Sequence, residues 1–353
     1  MTQMNSLVMR DGGIHLETAD IPVPASGQVL VKSLACGICG SDLHLTRHYK
    51  EIFAFYQKLG LMSSQQDEHT EVMLGHEYCA EIVSYGPDTQ QSLPVGSKVT
   101  SIPFLVSQNN AGIGVTPGLS GAYSEYFIMD EVLLLPVPEH VPAEAAALTE
   151  PLAVGLHAVN RSEIQAEDVA LVTGCGPIGL AVISALHRRG IKKIVASDMQ
   201  ADKLEKAKVF GAQHIVNPKD QDEMQMAASV AGERKVFIFE CIGVPRIIKD
   251  FIERCPPKST LVVTGIHTSE SSVNYAYATV KELDLKFTYY YTPEEFAECL
   301  QAIADGHVKW QSLLTGKVGI DGVGKAFDLL AAGSDQTKIV IEPWRQGDLE
   351  ILN

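Results

Sequence analysis

The chain is poor in positive charge. Its 353 residues carry 28 lysines and arginines against 43 aspartates and glutamates, a formal net charge of −15. No lysine or arginine stripe with interleaved aromatics runs through it. That balance repels a phosphate backbone, so nucleic acid is not an expected partner. The opening MTQMNSLVMRDGG lacks an apolar run of signal-peptide length, and a cytoplasmic protein is expected. Cysteine is sparse and scattered, with seven thiols at Cys36, Cys39, Cys79, Cys175, Cys241, Cys255 and Cys299. An odd number without dense spacing argues against a disulfide framework and for reduced thiols. Internal repeats and long low-complexity linkers are absent as well.

Hydrophobic content is 46%, enough for a large buried core and for two domains. Residues 169–186 carry no charged side chain and are long enough to span a bilayer. Three glycines and a proline interrupt that run, so it reads instead as a strand, a tight turn and the start of a helix, and no membrane association is expected. From there, β-rich runs at 169–173, 194–197, 235–240, 261–264 and 283–290 alternate with helical patterns opening near Pro177, Ala201 and Pro245. Parallel strands need crossover connections, so this alternation predicts an α/β, doubly wound parallel sheet. The first 150 residues differ. Short runs at 29–34, 81–85, 98–102 and 123–128, parted by Gly, Pro and Ser, suggest a small antiparallel barrel or sandwich. A helix at 293–304, a second at 323–332 and a strand at 338–341 have no clear allegiance by pattern.

Gly174-Cys175-Gly176-Pro177-Ile178-Gly179 matches G-x-G-x-x-G between a predicted strand and a predicted helix. Gly174 permits the tight turn, Gly176 lets a pyrophosphate approach the backbone, and Gly179 allows close helix–strand packing. The helix, opened by Pro177 and Ile178, turns its N-terminus to the phosphates. Asp198 lies 19 residues beyond Gly179, where a carboxylate accepts ribose hydroxyls and repels a 2′-phosphate, favouring NAD over NADP. Lys203 is a further candidate for the ribose, with a solvated surface lysine as the alternative.

Three polar clusters precede that motif: CGICGSDLH at 36–44, GHE at 75–77 and TEPL at 149–152. Cys36-x-x-Cys39 alone suits a zinc ribbon or a redox pair, but no second CxxC completes a four-thiolate site. A thiolate must then find other partners. His76 and Glu77 are adjacent and can both approach a metal only where the backbone bends. Glu150 precedes Pro151, which biases it away from helical geometry and places its carboxylate at a chain corner. Sulfur, nitrogen and carboxylate oxygen form a mixed set that suits zinc with one position open. Taken singly, a buried cysteine, a histidine or a glutamate is more often structural.

Cys39-Gly40-Ser41-Asp42-Leu43-His44, Gly75-His76-Glu77, Glu150-Pro151-Leu152, the glycine motif and Asp198 together resemble the zinc-containing medium-chain dehydrogenase/reductase family, over nearly the whole chain. The resemblance implies a GroES-like catalytic domain from residues 1–153 and 293–353, with a Rossmann dinucleotide-binding domain of residues 154–292 inserted between them. It implies Cys39 and His76 as catalytic zinc ligands, Glu77 as a ligand or nearby carboxylate, and Glu150 at the position where sorbitol and threonine dehydrogenase-like members carry a glutamate. Ser41 resembles the hydroxyl that passes the substrate proton on, His44 a later relay member, and Asp42 the group orienting the zinc-bound histidine. Cys36 matches a non-ligand position.

The family's reaction would then be hydride transfer between NAD and a secondary alcohol or polyol, with a ketone product. Its partners would be a small-molecule alcohol or ketone and a homodimer or homotetramer of this chain. Two readings compete: a zinc-free quinone or enoyl reductase on the same scaffold, and a nucleotide-binding structural protein without turnover.

Two departures from the family pattern stand out. No cysteine falls between Cys79 and Cys175, so one catalytic zinc and no structural zinc is expected. The segment between Cys39 and His76 is also long, with Ile52, Phe55, Tyr56 and Leu59 at helical spacing. That stripe suits either docking of an inserted helix or a wall of the substrate cleft.

Overall fold

A computed structural model describes residues 2–60, 62, 66–67, 69–267, 270–333 and 335–352. The chain forms two compact units, Met1–Glu150 with Leu314–Asn353, and Pro151–Leu313.

In the second unit the β-branched runs become strands of a six-stranded sheet. Its order is His214–Val216, Ile194–Ser197, Val169–Thr173, Val236–Glu240, Thr260–Val263 and Asp284–Phe287, every pair parallel. The uncharged run that mimics a membrane span is the central strand Val169–Thr173 followed by the helix Pro177–Arg188. Both are buried because helices cover a parallel sheet on its two faces. Among the described residues no helix is long and apolar enough to cross a membrane. The strand expected at 283–290 stops at Phe287, and Tyr290 takes φ +59, which ends regular pairing.

The helix Pro293–Ala304 begins where its sequence places it, held by a capping box between Thr292 and Glu295. Its allegiance differs from expectation. Glu295 accepts hydrogen bonds from His157 Nδ1 at 2.8 Å and Asn160 Nδ2 at 2.6 Å, and Glu298 pairs with Arg188. These ties place the helix in the dinucleotide-type unit, so the chain returns to the first unit at Leu314 rather than at 293.

The first unit is built on an eight-stranded sheet in which Gln28–Gly37 pairs with Glu77–Tyr85, Tyr126–Asp130 and Lys338–Ile341, all antiparallel. Both chain ends thus share one sheet. The run read at 123–128 is displaced to Tyr126–Asp130 because residues 122–123 are used elsewhere: their N–H groups bond to Gly75 and Leu74 carbonyls. The long helix Gly40–Lys58 carries a non-helical residue at His48. Of the apolar stripe only Ile52 is buried in the unit's core, beside Phe53, with Tyr56 packed against it; Phe55 stays outside that core and Leu59 is 56% exposed, so the helix docks through its Ile52-Phe53 side and the rest of the stripe does not join it. Residues 61, 63–65 and 68 of the same insert lie outside the described residues.

Candidate metal and dinucleotide sites

Antiparallel pairing sets Gly37 opposite Glu77 and Cys36 opposite Tyr78, so the chain leaving Gln28–Gly37 emerges beside the chain entering Glu77–Tyr85. Cys39 stands at one corner, immediately before the helix Gly40–Lys58, and His76 at the other. A Cys39 Sγ, a His76 ring nitrogen and a Glu77 carboxylate oxygen lie within 4.8 Å of one another. Gly75, at φ +108, makes the bend that adjacent His76 and Glu77 require. Ser41 Oγ is 3.4 Å from His76 Nε2.

Asp42 faces the other ring nitrogen. Its Oδ1 is 3.6 Å from His76 Nδ1, a buried atom without a hydrogen-bond partner. Its Oδ2 accepts the Cys39 N–H at 3.1 Å and the Tyr123 hydroxyl at 2.6 Å. Burial penalises the charged imidazole of His76, yet Asp42, Cys39 and Glu150 outweigh it and hold its pKa well above the usual histidine value. Burial pushes the Tyr123 phenol well above its ordinary value, aided by the neighbouring Asp42, so it keeps its proton and donates. A site that draws positive charge toward a buried imidazole, with a soft sulfur donor beside it, fits a divalent cation such as zinc.

Glu150 is placed differently from the sequence reading. It lies within the first turn of the helix Thr149–Ser162 and is buried at 7% exposure, not presented at an exposed corner. The helix Ala143–Ala147 runs through Leu148 in helical geometry directly into Thr149, which draws Glu150 into the helix despite Pro151. Its charge acts on His76, Tyr78 and Lys338, although it falls outside the tight cluster.

Lys338 was not visible as a site residue in the sequence. Its ammonium donates to both Glu77 carboxylate oxygens at 2.7 Å and to the Ile38 carbonyl at 2.9 Å, with 2% of its side chain exposed. Burial alone would lower its pKa, but Glu77, Cys39 and Glu150 raise it above the usual value. The one hint in the chain is a lysine heading an otherwise apolar strand, Lys338–Ile341. Cys36, excluded as a ligand, is fully buried, and burial pushes its thiol well up.

In the second unit, Gly174 adopts φ +86 and Gly179 packs so tightly that a Cβ there would stand 1.8 Å from the Gly174 carbonyl oxygen. Gly176, the N-cap of the helix beginning Pro177-Ile178, has nothing within 4 Å of where its Cβ would be. Tight packing at one glycine and open space at another is what a pyrophosphate cradle at a helix N-terminus needs. Asp198 follows the strand Ile194–Ser197 and accepts from Cys175 N–H at 2.8 Å and Gln200 N–H at 2.9 Å. Two carboxylate oxygens so engaged keep lone pairs for ribose hydroxyls. Lys203 is close enough for its charge to act on Cys175.

The sequence matches two family models: an alcohol dehydrogenase GroES-like domain over residues 25–139 and a zinc-binding dehydrogenase domain over 177–305. It is 30% identical to the (R,R)-butanediol dehydrogenase of Neisseria gonorrhoeae, across 94% of this chain and 97% of that one. It is 28% identical to the sorbitol dehydrogenase of Bos taurus, across 94% and 93%. The fold superposes on the crystal structure of 2R,3R-butanediol dehydrogenase from Bacillus subtilis with a TM-score of 0.82 at 29% identity, covering 96% of this chain and 99% of that one.

Proposed function

The chain belongs to the zinc-containing medium-chain dehydrogenase/reductase family, and on that premise we propose that it transfers a hydride between NAD and a secondary alcohol or polyol, giving a ketone. The observation that carries the reading is the convergence of the Cys39 and His76 donor atoms within 4.8 Å at two neighbouring chain corners, with the Glu77 carboxylate beside them. Cys39 and His76 are the assigned zinc ligands, and Glu150, buried outside the 4.8 Å cluster with its charge acting on His76, is the proposed further carboxylate. Glu77 is assigned to the outer shell, because both its oxygens already accept from Lys338. Zinc held there supplies a Lewis acid for the substrate oxygen, and NAD held at Gly174, Gly176, Pro177, Ile178, Gly179, Asp198 and Lys203 supplies the hydride acceptor.

The chain's own groups manage the proton. Ser41 receives it from the substrate hydroxyl, and His44, three residues on along the same helix face, takes it outward. Burial lowers the His44 pKa, with His48 and Arg47 adding to the effect, so the ring is neutral and able to accept a proton at neutral pH. A vicinal diol or polyol is favoured as substrate by the relatives named for butanediol and sorbitol.

The proposed assembly is a homodimer or homotetramer in the cytoplasm. All seven cysteines are free thiols, which suits a reducing compartment. Supporting self-association, the sheet ends on the strand Asp284–Phe287, whose Leu285 and Phe287 are 39% and 61% exposed.

A panel of alcohols, diols and polyols assayed with NAD and NADP, before and after chelation, tests the activity. Turnover with NAD that vanishes on chelation and returns with zinc is expected. Full activity in the metal-free protein, or in Cys39→Ser and His76→Ala variants, would sink it. Sedimentation of Leu285→Asp as a monomer, beside an oligomeric parent, is the expected outcome for assembly.

A further inference from the structure

We infer that Tyr123 is a positioning residue of the metal centre, its hydroxyl holding the Asp42 carboxylate in the orientation that joins the Cys39 corner to the His76 ring. The inference rests on the zinc reading above. Residues 122–123 cross the corner before His76, with Ala122 N–H donating to Gly75 O at 2.9 Å and Tyr123 N–H to Leu74 O at 3.0 Å. The crossing is so close that a Cβ on Gly75 would lie 2.5 Å from Tyr123 N. One residue therefore fixes the backbone that presents His76 and reaches, with its side chain, the segment that presents Cys39.

The phenol end completes the link. Tyr123 Oη donates to Asp42 Oδ2 at 2.6 Å, the same oxygen that accepts the Cys39 N–H at 3.1 Å, and lies 3.2 Å from the Gly37 carbonyl. That leaves Oδ1 to face His76 Nδ1 at 3.6 Å. The terminal torsion of an aspartate is broad, so a carboxylate held by a single N–H can turn about it. Two donors on one oxygen stop that rotation and keep the other oxygen on the imidazole. Outer partners of this kind set the tautomer and orientation of a ligating histidine, and losing one lowers metal affinity about 10–100-fold.

Tyr123→Phe removes the hydroxyl and keeps the ring that packs edge-on against Phe327. Full-length protein stripped by chelation is titrated with zinc against a chromophoric competitor, and its cobalt(II) form is followed by visible absorption. Tyr123→Phe is expected to bind zinc about 10–100-fold more weakly and to shift the cobalt bands. Asp42→Asn is expected to lose a similar factor, and the double variant to bind no more weakly than Asp42→Asn alone. A residue that only packs the core would lower the urea midpoint and leave zinc affinity and cobalt bands unchanged. That outcome, or losses that multiply in the double variant, overturns the inference. Wild-type protein that binds zinc no tighter than Cys39→Ser overturns the zinc reading and this inference with it.

Discussion

Replacing Lys338 by methionine should destabilise the first unit severely while sparing every assigned zinc ligand. Lys338 and Glu77 are 2% and 1% exposed at their side chains, and the ammonium makes three hydrogen bonds, two to Glu77 and one to the Ile38 carbonyl. Methionine fills comparable volume but strands a carboxylate that has no route to water. Removing one partner of a buried pair costs about 3–5 kcal/mol, most of it the penalty on the charge left behind. Removing both charges with Lys338→Met/Glu77→Leu should recover most of that loss, since well-packed apolar replacements of buried pairs are often neutral.

Zinc modifies the expectation in a defined direction. A released Glu77 sits within 4.8 Å of the Cys39 and His76 donor atoms, so a bound cation compensates part of its charge and the loss should be smaller in zinc-loaded protein. Urea unfolding of chelated protein measures the effect. Trp344, whose indole N–H donates to the Ser33 carbonyl, reports on the first unit once Trp310 in the second is replaced by phenylalanine. A single-variant loss below about 1 kcal/mol, or a double variant no more stable than the single, would refute the account of Lys338 as the obligatory counter-charge of Glu77.

Three further outcomes are expected. Glu295→Gln should cost about 1.5–3 kcal/mol at neutral pH by weakening bonds to Asn160, His157 and the Thr292 N–H. Burial opposes but those partners hold the Glu295 pKa below 4.5, so its contribution is complete above pH 4.5 and lost as pH falls through the lower folded value. The gap between parent and variant in denaturation curves should close on acidification and not on raising the pH. Gly179→Ala should destabilise the protein by more than about 1 kcal/mol and abolish dinucleotide affinity, because its methyl would sit 1.8 Å from the Gly174 carbonyl; calorimetry of NADH binding checks it. Asp198→Ala should lower kcat/KM for NAD by about tenfold or more while narrowing the preference over NADP. An unchanged NAD to NADP ratio would remove Asp198 from that role.

The backbone geometry of the proposed dinucleotide site was legible in the chain. Gly174, Gly176 and Gly179 act through local backbone sterics, and their spacing with Asp198 is set by one strand–helix–strand unit, so sequence neighbours make the site. Cys39 and His76 were legible for a similar reason, since each sits at a chain corner with its own motif, and Asp42 shares the Cys39 motif in the first turn of the helix that follows. Glu150 was placed less well. Its proline pointed to an extended corner, but the preceding helix Ala143–Ala147 carries straight into its turn. The return at Leu314 also escaped pattern reading, because the amphipathic helix Pro293–Ala304 can bury its apolar face in either unit and only Glu295 and Glu298 choose between them.

By itself the amino-acid order determined the α/β and β-rich halves of the architecture, the glycine turn between strand and helix, and the net negative charge. Those properties follow from periodicity, composition and interactions over a few residues. Only tertiary structure decided that Glu77 is taken by a buried counter-charge. Lys338 meets Glu77 across 261 positions and Ile38 across 300, and Tyr123 reaches Asp42 across 81. Pairing of the strand Lys338–Ile341 with Gln28–Gly37 creates the Lys338 contacts, which the cost of burying an unpaired charge makes obligatory, and the crossing of residues 122–123 over Leu74 and Gly75 creates the Tyr123 contact.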